Sequence, residues 1–458
     1  MEVSNQHLPF ELTKEYIEKI QSAILEENHD LIKAEMEELY SADITSILYE
    51  LSGEEAHYVV SLLDTKVTAE ILSDLDSDER KKLLKNFSSA EIAEYINILD
   101  SDDAVDIINE QPVKIREEVI ALLKDREQAR FIIDLMHYDE DCAGGLMQKE
   151  LVKINVKQTV TECVEEIRRQ AEDVEKVYSV YVVDDDGILL GTVSLKKIIL
   201  AKRGSKISDV YEPDIVSVQT YMKGEEVADI MQKYDLEAIP VVNIQGRLLG
   251  RITIDDVVDF IKEQAIVDVQ AMTGISEDVE EDDSVWKLVR SRLPWLLIGM
   301  GGSLLGAEFI QFFDKDIALY PILAAFIPIV GSTGGNAGIQ SSSLMVQSLA
   351  DKSGLSISFS ERLVKTFKVA LMNGILSSGL VFLINLLVGN ELKICTIVSL
   401  SLVSVILLAS FMGTVTPIFL SKTKINPAVA SGPFITTAND LVGYGVYFYI
   451  AHILKNMF

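Results

Sequence analysis

Phe326–Ser343 reads FIPIVGSTGGNAGIQSSS, and how this run is understood decides the fold. It lies in the apolar last third of the chain, yet it gathers Gly331, Gly334, Gly335, Asn336, Gly338, Gln340 and Ser341–Ser343. Hydrocarbon tolerates irregular, polar backbone only where protein buries it or where it lines a watery cavity. Small residues also let two membrane helices approach closely. The run is therefore either a tight helix–helix contact or the wall of a pore, and by itself it leaves both open.

Apolar stretches around it, long enough to span at about 20 residues each, run over 293–313, 317–349, 364–388, 393–420 and 428–453. They predict about five membrane spans. The second is overlong, and a kink is expected around Pro321, Pro328 and Gly331. Lys287, Arg290, Arg292, Lys352, Arg362, Lys365, Lys368, Lys422 and Lys424 flank one side of these spans; Lys315, Lys393 and Lys455 flank the other. Basic residues favour the cytoplasmic side, which predicts an amino-terminal side inside and a carboxyl-terminal side outside.

Only Glu308 and Asp440 sit deep in apolar sequence. A carboxylate at that depth is costly unless it is hydrated or paired, so it marks a functional site by default. No deeply placed Lys or Arg is available to neutralise Asp440, and its approach, Gly432-Pro-Phe-Ile-Thr-Thr-Ala-Asn439, is again polar and broken by glycine and proline. It either caps a broken helix or attracts cations in a wet pathway; the second reading is favoured. An intramembrane aspartyl protease needs two facing aspartates, and only one candidate exists.

The remainder of the chain is acidic. Of the formal net charge of −30, the part up to Arg290 holds 64 Asp and Glu against 31 Lys and Arg. After Arg290 the balance is 7 against 10. Nucleic acid is excluded as a partner because its phosphates would be repelled. Cys142, Cys163 and Cys395 lie too far apart for a disulfide framework or a zinc pattern, and a reducing cytosolic setting fits them. The opening MEVSNQHLPF has no basic region followed by an apolar core, so no cleavable signal peptide is expected.

From Leu31 to Tyr138 apolar residues recur at helical spacing, as in Ile44, Ile47, Leu48 and Leu51. Ser52-Gly-Glu-Glu55 and Ser88-Ser-Ala-Glu91 have the form of capping boxes, and Ser77 and Ser101 open similar Asp-rich starts. Short helices restarting about every twelve residues, in pairs of roughly 24, predict a helical solenoid. Asp100, Asp102, Asp103 and Asp106 crowd one helix start, where they either complement the helix dipole or form a site for a hard cation.

After Asp141-Cys-Ala-Gly-Gly-Leu-Met147 the pattern becomes β-rich. Val177–Val183, the turn Asp184-Asp-Asp-Gly187, Ile188–Val193 and a helix from Ser194 form one unit. Ala238–Val242, the turn Asn243-Ile-Gln-Gly246, Leu248–Ile254 and a helix from Asp255 repeat it. That is an internal duplication. Gly250-Arg-Ile-Thr253-Ile-Asp-Asp256 resembles the closing motif of a CBS domain, and Gly191-Thr-Val-Ser194 resembles its partner, with Lys197 where the Asp would stand. In that family such residues hold an adenine nucleotide. Thr253, Asp256 and Ser194 are accordingly the candidate ATP-binding residues, and a purely structural pair fits equally. The helix from Asp255 can continue through Asp268 and Met272 to Gly274, followed by the acidic run Glu277–Asp283 and the basic-aromatic approach Trp286–Arg290.

The order of these parts carries a resemblance. The chain resembles the bacterial MgtE family of magnesium channels over nearly its whole length, through Gly334-Gly-Asn-Ala-Gly-Ile-Gln-Ser341 and Ser431-Gly-Pro-Phe-Ile-Thr-Thr437 with Asp440. The expected fold is multidomain. It comprises an acidic all-α helical-repeat domain (1–138), an α/β tandem CBS pair (139–206 and 207–259), a plug helix with its connector (260–290) and an α-helical membrane domain (291–458). The resemblance implies a Mg2+-selective channel or transporter, not an enzyme, in the bacterial inner membrane. It also implies a homodimer with one pore on its two-fold axis, closed by cytosolic Mg2+. Pore or selectivity residues would be Asp440, Asn336, Gln340, Thr436, Thr437 and Glu308. Regulatory Mg2+ ligands by motif match are Asp102, Asp103, Glu225, Asp235, Asp256, Asp259 and Asp268. Lys223, Gln264, Val267 and Asn426 stand where the family commonly has acidic residues, which implies weaker or fewer regulatory sites. Two rivals remain: a proton- or sodium-coupled divalent-cation carrier using Glu308, and a membrane-tethered nucleotide sensor.

Overall fold

The computed structural model describes residues 10–454, except 172–173, 175, 203, 277–278, 280–282, 351–357 and 424. Lys352, Lys424 and Lys455 of the flanking charges, and most of the Glu277–Asp283 run, lie outside the described residues. The chain divides into two units, Met1–Ile261 and Lys262–Phe458.

Among the described residues the first unit begins with ten helices: α1 (Lys14–Leu25), α2 (His29–Glu37), α3 (Ser41–Leu48), α4 (Gly53–Ser61), α5 (Thr65–Asp74), α6 (Ser77–Leu84), α7 (Ser89–Ile96), α8 (Ser101–Asn109), α9 (Val113–Leu122) and α10 (Arg126–Leu135). From His29 to Val113 each helix starts twelve residues after the last. The period has a local cause. Ser52 with Glu55, and Ser88 with Glu91, form reciprocal capping boxes that satisfy the free amides of each new helix start. Ser77 and Ser101 are first helical residues instead, and Asp76 and Asp100 hold the cap positions. Alternate helices pack together, α3 on α5, α5 on α7 and α7 on α9, with α4 on α6 and α8 on α10, so the repeating unit is a helix pair. Ile44, Ile47 and Leu48 are buried as their spacing predicts. Arg80, 8% exposed, makes a two-pronged ion pair with Glu110 (3.0 and 2.7 Å) and donates to the Leu72 and Ser73 carbonyls.

Two small α/β modules follow. The first has β1 (Lys153–Asn155), α11 (Val160–Gln170), β2 (Val180–Val183), β3 (Leu189–Val193) and α12 (Leu195–Leu200). The second has β4 (Val218–Gln219), α13 (Gly224–Tyr234), β5 (Ala238–Val242), β6 (Leu248–Thr253) and α14 (Ile254–Thr273). In both, the first strand runs parallel to the second and the third antiparallel to it. The duplication extends to fine detail. Each hairpin slips register at the same place, Val182/Val183 and Val241/Val242. Asp184 Oδ1 accepts from the Asp186 and Ile188 amides, and Asn243 Oδ1 from those of Gln245 and Arg247. Gly187 and Gly246 then take φ of +78° and +80°, which glycine adopts without strain. The Ala143–Gln148 segment bonds to the second module: Ala143 N–H to the Met222 carbonyl, Gly144 N–H to that of Thr220, and Gln148 reciprocally with Arg251.

In the second unit, α14 ends at Gly274 (φ +85°), as the glycine predicts. Among the described residues six helices follow: α15 (Val285–Gln311), α16 (Asp314–Leu319), α17 (Ile327–Ala350), α18 (Phe359–Val388), α19 (Leu392–Leu420) and α20 (Pro433–Leu454). Short 3-10 turns, Pro321–Phe326 and Pro427–Ser431, precede α17 and α20. Among the described residues four segments, Val285–Gln311, Pro321–Leu349, Phe359–Val388 and Leu392–Leu420, are long and apolar enough to cross a membrane. The expected fifth span, α20, has the length, 22 residues or about 33 Å, but its polar first half keeps it below that apolarity. Of the kink expected around Pro321, Pro328 and Gly331, the structure keeps the Pro321 part and not the other two. The break falls at the 3-10 turn before Ile327, and the glycine run itself is one uninterrupted helix.

Candidate functional site

Regular helix geometry turns the Gly331–Gly338 run into a face. Residues 331, 335 and 338 lie on one side of α17 because helical neighbours recur every three to four residues. A Cβ built on Gly331 would stand 3.3 Å from Asp440 Oδ1 and 2.7 Å from Tyr444 Oη, both on α20. One built on Gly335 would stand 3.8 Å from Asp440 Oδ1 and 3.3 Å from Thr436 Cγ2. Gly413 of α19 packs directly on the Gly338 carbonyl. Of the two readings of this run, these distances give the helix–helix contact. It is a close-packed seam, and the deep carboxylate is seated on it.

The other predicted pore residues divide. Thr436 shares the Asp440 side, and its hydroxyl donates to the Gly432 carbonyl at 3.4 Å. Thr437 points to α15 and packs against Gly302. Asn336 and Gln340 are exposed, and Gln340 stands about half a turn from Gly331, so neither is brought to Asp440. Glu308 is exposed as well. Its neighbour Gly306 faces Tyr444 and Phe309 faces Gly445, which turns Glu308 to the other side of α15. Two contributors went unread in the sequence, Tyr444 and Asn439. Tyr444, one helical turn beyond Asp440, could have been found from its i+4 spacing.

The end of α14 is seated at the start of α20. Gly432 leaves room for the Met272 carbonyl, which would stand 2.5 Å from a Cβ there, and Gly274 packs on Pro433. Asp268 accepts from Asn426 Nδ2 at 2.9 Å and from Gln264 Nε2 at 3.4 Å.

In the first unit the candidate regulatory acids separate into groups. Asp102 and Asp256 face one another. Burial, and then the charges of Asp256, Asp103, Asp100 and Glu150, push the Asp102 carboxyl well above its ordinary range. Burial first, against the opposing hydrogen bond from Thr253, and then Asp255 and Asp103, raise Asp256 to about 6. Asp102 Oδ1 and Glu150 Oε1 are buried with no hydrogen-bond partner among the described residues. Glu150 Oε2 accepts from the Ser101 hydroxyl at 2.7 Å, and Gln148 Nε2 lies 3.5 Å from Asp102 Oδ2. Glu150 and Gln148 are thus further members of this acidic pocket. Their distance from Asp102 in the sequence hides them. Partial burial and the charges of Asp103, Glu70 and Asp259 raise the Asp74 carboxyl. Glu225 and Asp235 are exposed at opposite ends of α13. Among the described residues no three His, Cys, Asp or Glu side chains converge as a ready ligand set for a metal ion.

In this structure the candidate nucleotide residues bond to the protein's own groups. Thr253 is 3% exposed, and its hydroxyl and amide both bond to Asp256. The Asp256 carboxylate beyond it faces further acids, which would repel a phosphate. Ser194 is the N-cap of α12, accepting from the Lys197 amide.

A carboxylate on a glycine seam among helices of membrane-spanning length, in a chain whose other unit is strongly acidic, marks a membrane protein with a cation-attracting group. Comparison with known proteins gives the particular family. Residues 327–450 match the family described as MgtE, divalent cation transporter; 39–141 match the MgtE intracellular N domain; 143–204 and 207–263 match CBS domains. The chain is 33% identical to the magnesium transporter MgtE of Thermus thermophilus over 441 residues, 95% of this chain and 97% of that one. It is 32% identical to that of Enterococcus faecalis over 72% of this chain and 73% of that one. Its soluble part is similar to the crystal structure of the cytosolic domain of the Mg2+ channel MgtE in complex with ATP, with 34% identity, a TM-score of 0.50, and coverage of 53% of this chain and 99% of that one. The chain belongs to the MgtE family of magnesium transporters, a family of transporters and not of enzymes.

Proposed function

We propose that this protein is a Mg2+-selective channel of the bacterial inner membrane, working as a homodimer with its amino-terminal side in the cytosol. The observation that carries the reading is the Asp440 carboxylate resting on the Gly331–Gly335 face inside a membrane bundle. Magnesium sheds its waters reluctantly, so carboxylates and carbonyls can hold it through its hydration shell. A two-fold axis doubles one Asp per chain into a divalent site.

Closure by cytosolic Mg2+ has a matching electrostatic logic. Asp102 and Asp256 are held together against repulsion, with Asp103 and Asp259 adding charge nearby. A bound cation relieves that repulsion and favours the compact state through differential binding. The seating of Met272 and Gly274 on Gly432 and Pro433 gives α14 a direct hold on the start of α20. Glu308 is exposed and turned to the other side of α15, which favours the channel over the coupled carrier.

The test is Mg2+ flux into liposomes. Asp440→Ala should abolish it, and Asp440→Glu should retain part of it. Undiminished flux through Asp440→Ala would remove the pore assignment.

A further inference from the structure

Asn439 precedes Asp440 on α20 and is 2% exposed, deep in the membrane bundle. Neither its Oδ1 nor its Nδ2 has a hydrogen-bond partner among the described residues. A buried amide left unpaired is costly, and polar side chains persist at such depth where they serve a function.

Its surroundings say what that function is. The Asn439 amide fills the space that a side chain at Gly338 of α17 would occupy: a Cβ there would overlap Nδ2 and stand 3.0 Å from Cγ. The same point is 3.5 Å from the Ala409 carbonyl oxygen of α19. On another side the Gly338 carbonyl is pressed against Gly413. Three helices thus converge at one notch, and what enters it is a thin, planar amide. Rotating α20 either way lifts the amide out of the notch or drives it into backbone. The next residue, Asp440, points about 100° further round the helix. That direction is the one that lays its carboxylate over Gly331 and Gly335.

We propose that Asn439 is a positioning residue: seated in the notch left by Gly338, it fixes the rotation of α20 and thereby aims Asp440. The proposal rests on the reading of Asp440 as the pore carboxylate, and the experiment separates the two. Full-length Asn439→Ala, Gly338→Ala, the double variant and Asp440→Ala are compared in liposomes, at matched amounts of folded protein. Mg2+ flux and the ratio of Mg2+ to Ca2+ flux are measured.

Either single change should lower Mg2+ flux about tenfold or more, the scale of loss that a misplaced functional group brings, and should erode the Mg2+ to Ca2+ ratio. The double variant, which returns a methyl to the notch from the opposite helix, should recover both to within about twofold. A role in stability alone would change the yield of folded protein and leave the ion ratio untouched. The proposal is overturned if folded Asn439→Ala keeps flux and ratio while Asp440→Ala is silent. It is equally overturned if the folded double variant stays as impaired as the singles. Should a single variant not fold, the double variant decides. Normal flux through Asp440→Ala would instead remove the pore reading beneath the proposal.

Discussion

Asn426 donates from Nδ2 to Asp268 Oδ1 at 2.9 Å, tying the end of α14 to the turn before α20 across 158 residues. Asp268 thereby has neutral amide partners, Asn426 and Gln264, where two more carboxylates would have required a cation between them. Asn426→Asp should convert this neutral tie into a repulsive pair. A hydrogen bond to a charged group contributes about 1.5–3 kcal/mol, so the balance between open and closed should shift about tenfold or more. The expected result is higher Mg2+ flux than wild type at low cytosolic Mg2+, with closure regained at millimolar Mg2+. Identical Mg2+-response curves for the two proteins would show that the tie does not hold the gate.

The glycine seam predicts a graded series in thermal stability of the purified protein. Gly413→Ala should be worst, because its new methyl meets the unyielding Gly338 carbonyl. Gly331→Ala should be intermediate, since Tyr444 Oη at 2.7 Å can swing aside, and Gly335→Ala mildest, with its nearest atom at 3.3 Å. Overpacking of this kind costs about 1–3 kcal/mol. A reversed order in melting temperatures would contradict the packing described.

Asp102 and Asp256 fix the sign of a pH effect. Their folded-state pKa values lie above those of the unfolded chain, Asp256 at about 6. The folded state then binds more protons, so this contribution is present below the ordinary carboxylate range and is lost as pH rises through about 4 to 6. Without divalent cations, Asp102→Asn should therefore gain stability over wild type as pH rises from 5 to 7. Mg2+ should in turn protect wild type against proteolysis more at pH 7 than at pH 5. Equal protection at both pH values in wild type, with none lost in Asp102→Asn, would exclude these acids from the sensor.

Arg80 and Glu110 form a buried ion pair in the helical repeat. Removing one partner strands the other charge, at about 3–5 kcal/mol. Arg80→Ala should lower the melting temperature of the acidic unit markedly, and adding Glu110→Gln should recover part of the loss. Unchanged melting of Arg80→Ala would show that the pair is solvated in solution.

The sequence by itself determined whatever depends on residues near one another along the chain. The twelve-residue restart was legible because capping boxes such as Ser52–Glu55 act over one turn. The duplicated hairpins were legible because Asp184 and Asn243 fold back on their own following amides. The helix end at Gly274 and the depth of Asp440 are likewise local, the second a matter of hydropathy alone. Family motifs supplied Asp102 and Asp256 as candidates, but not that they face one another or that Gln148 and Glu150 line the same pocket.

Only the tertiary structure decided which way each side chain turns. Asn336, Gln340, Thr437 and Glu308 share the polarity of Asp440, yet each is carried elsewhere by the rotation of its helix. That rotation is set at the close approaches of Gly338, Gly413 and Gly302, through contacts between residues far apart in sequence. A glycine run announces that helices can approach. Which helix arrives, and with which face, depends on the packing of the whole bundle.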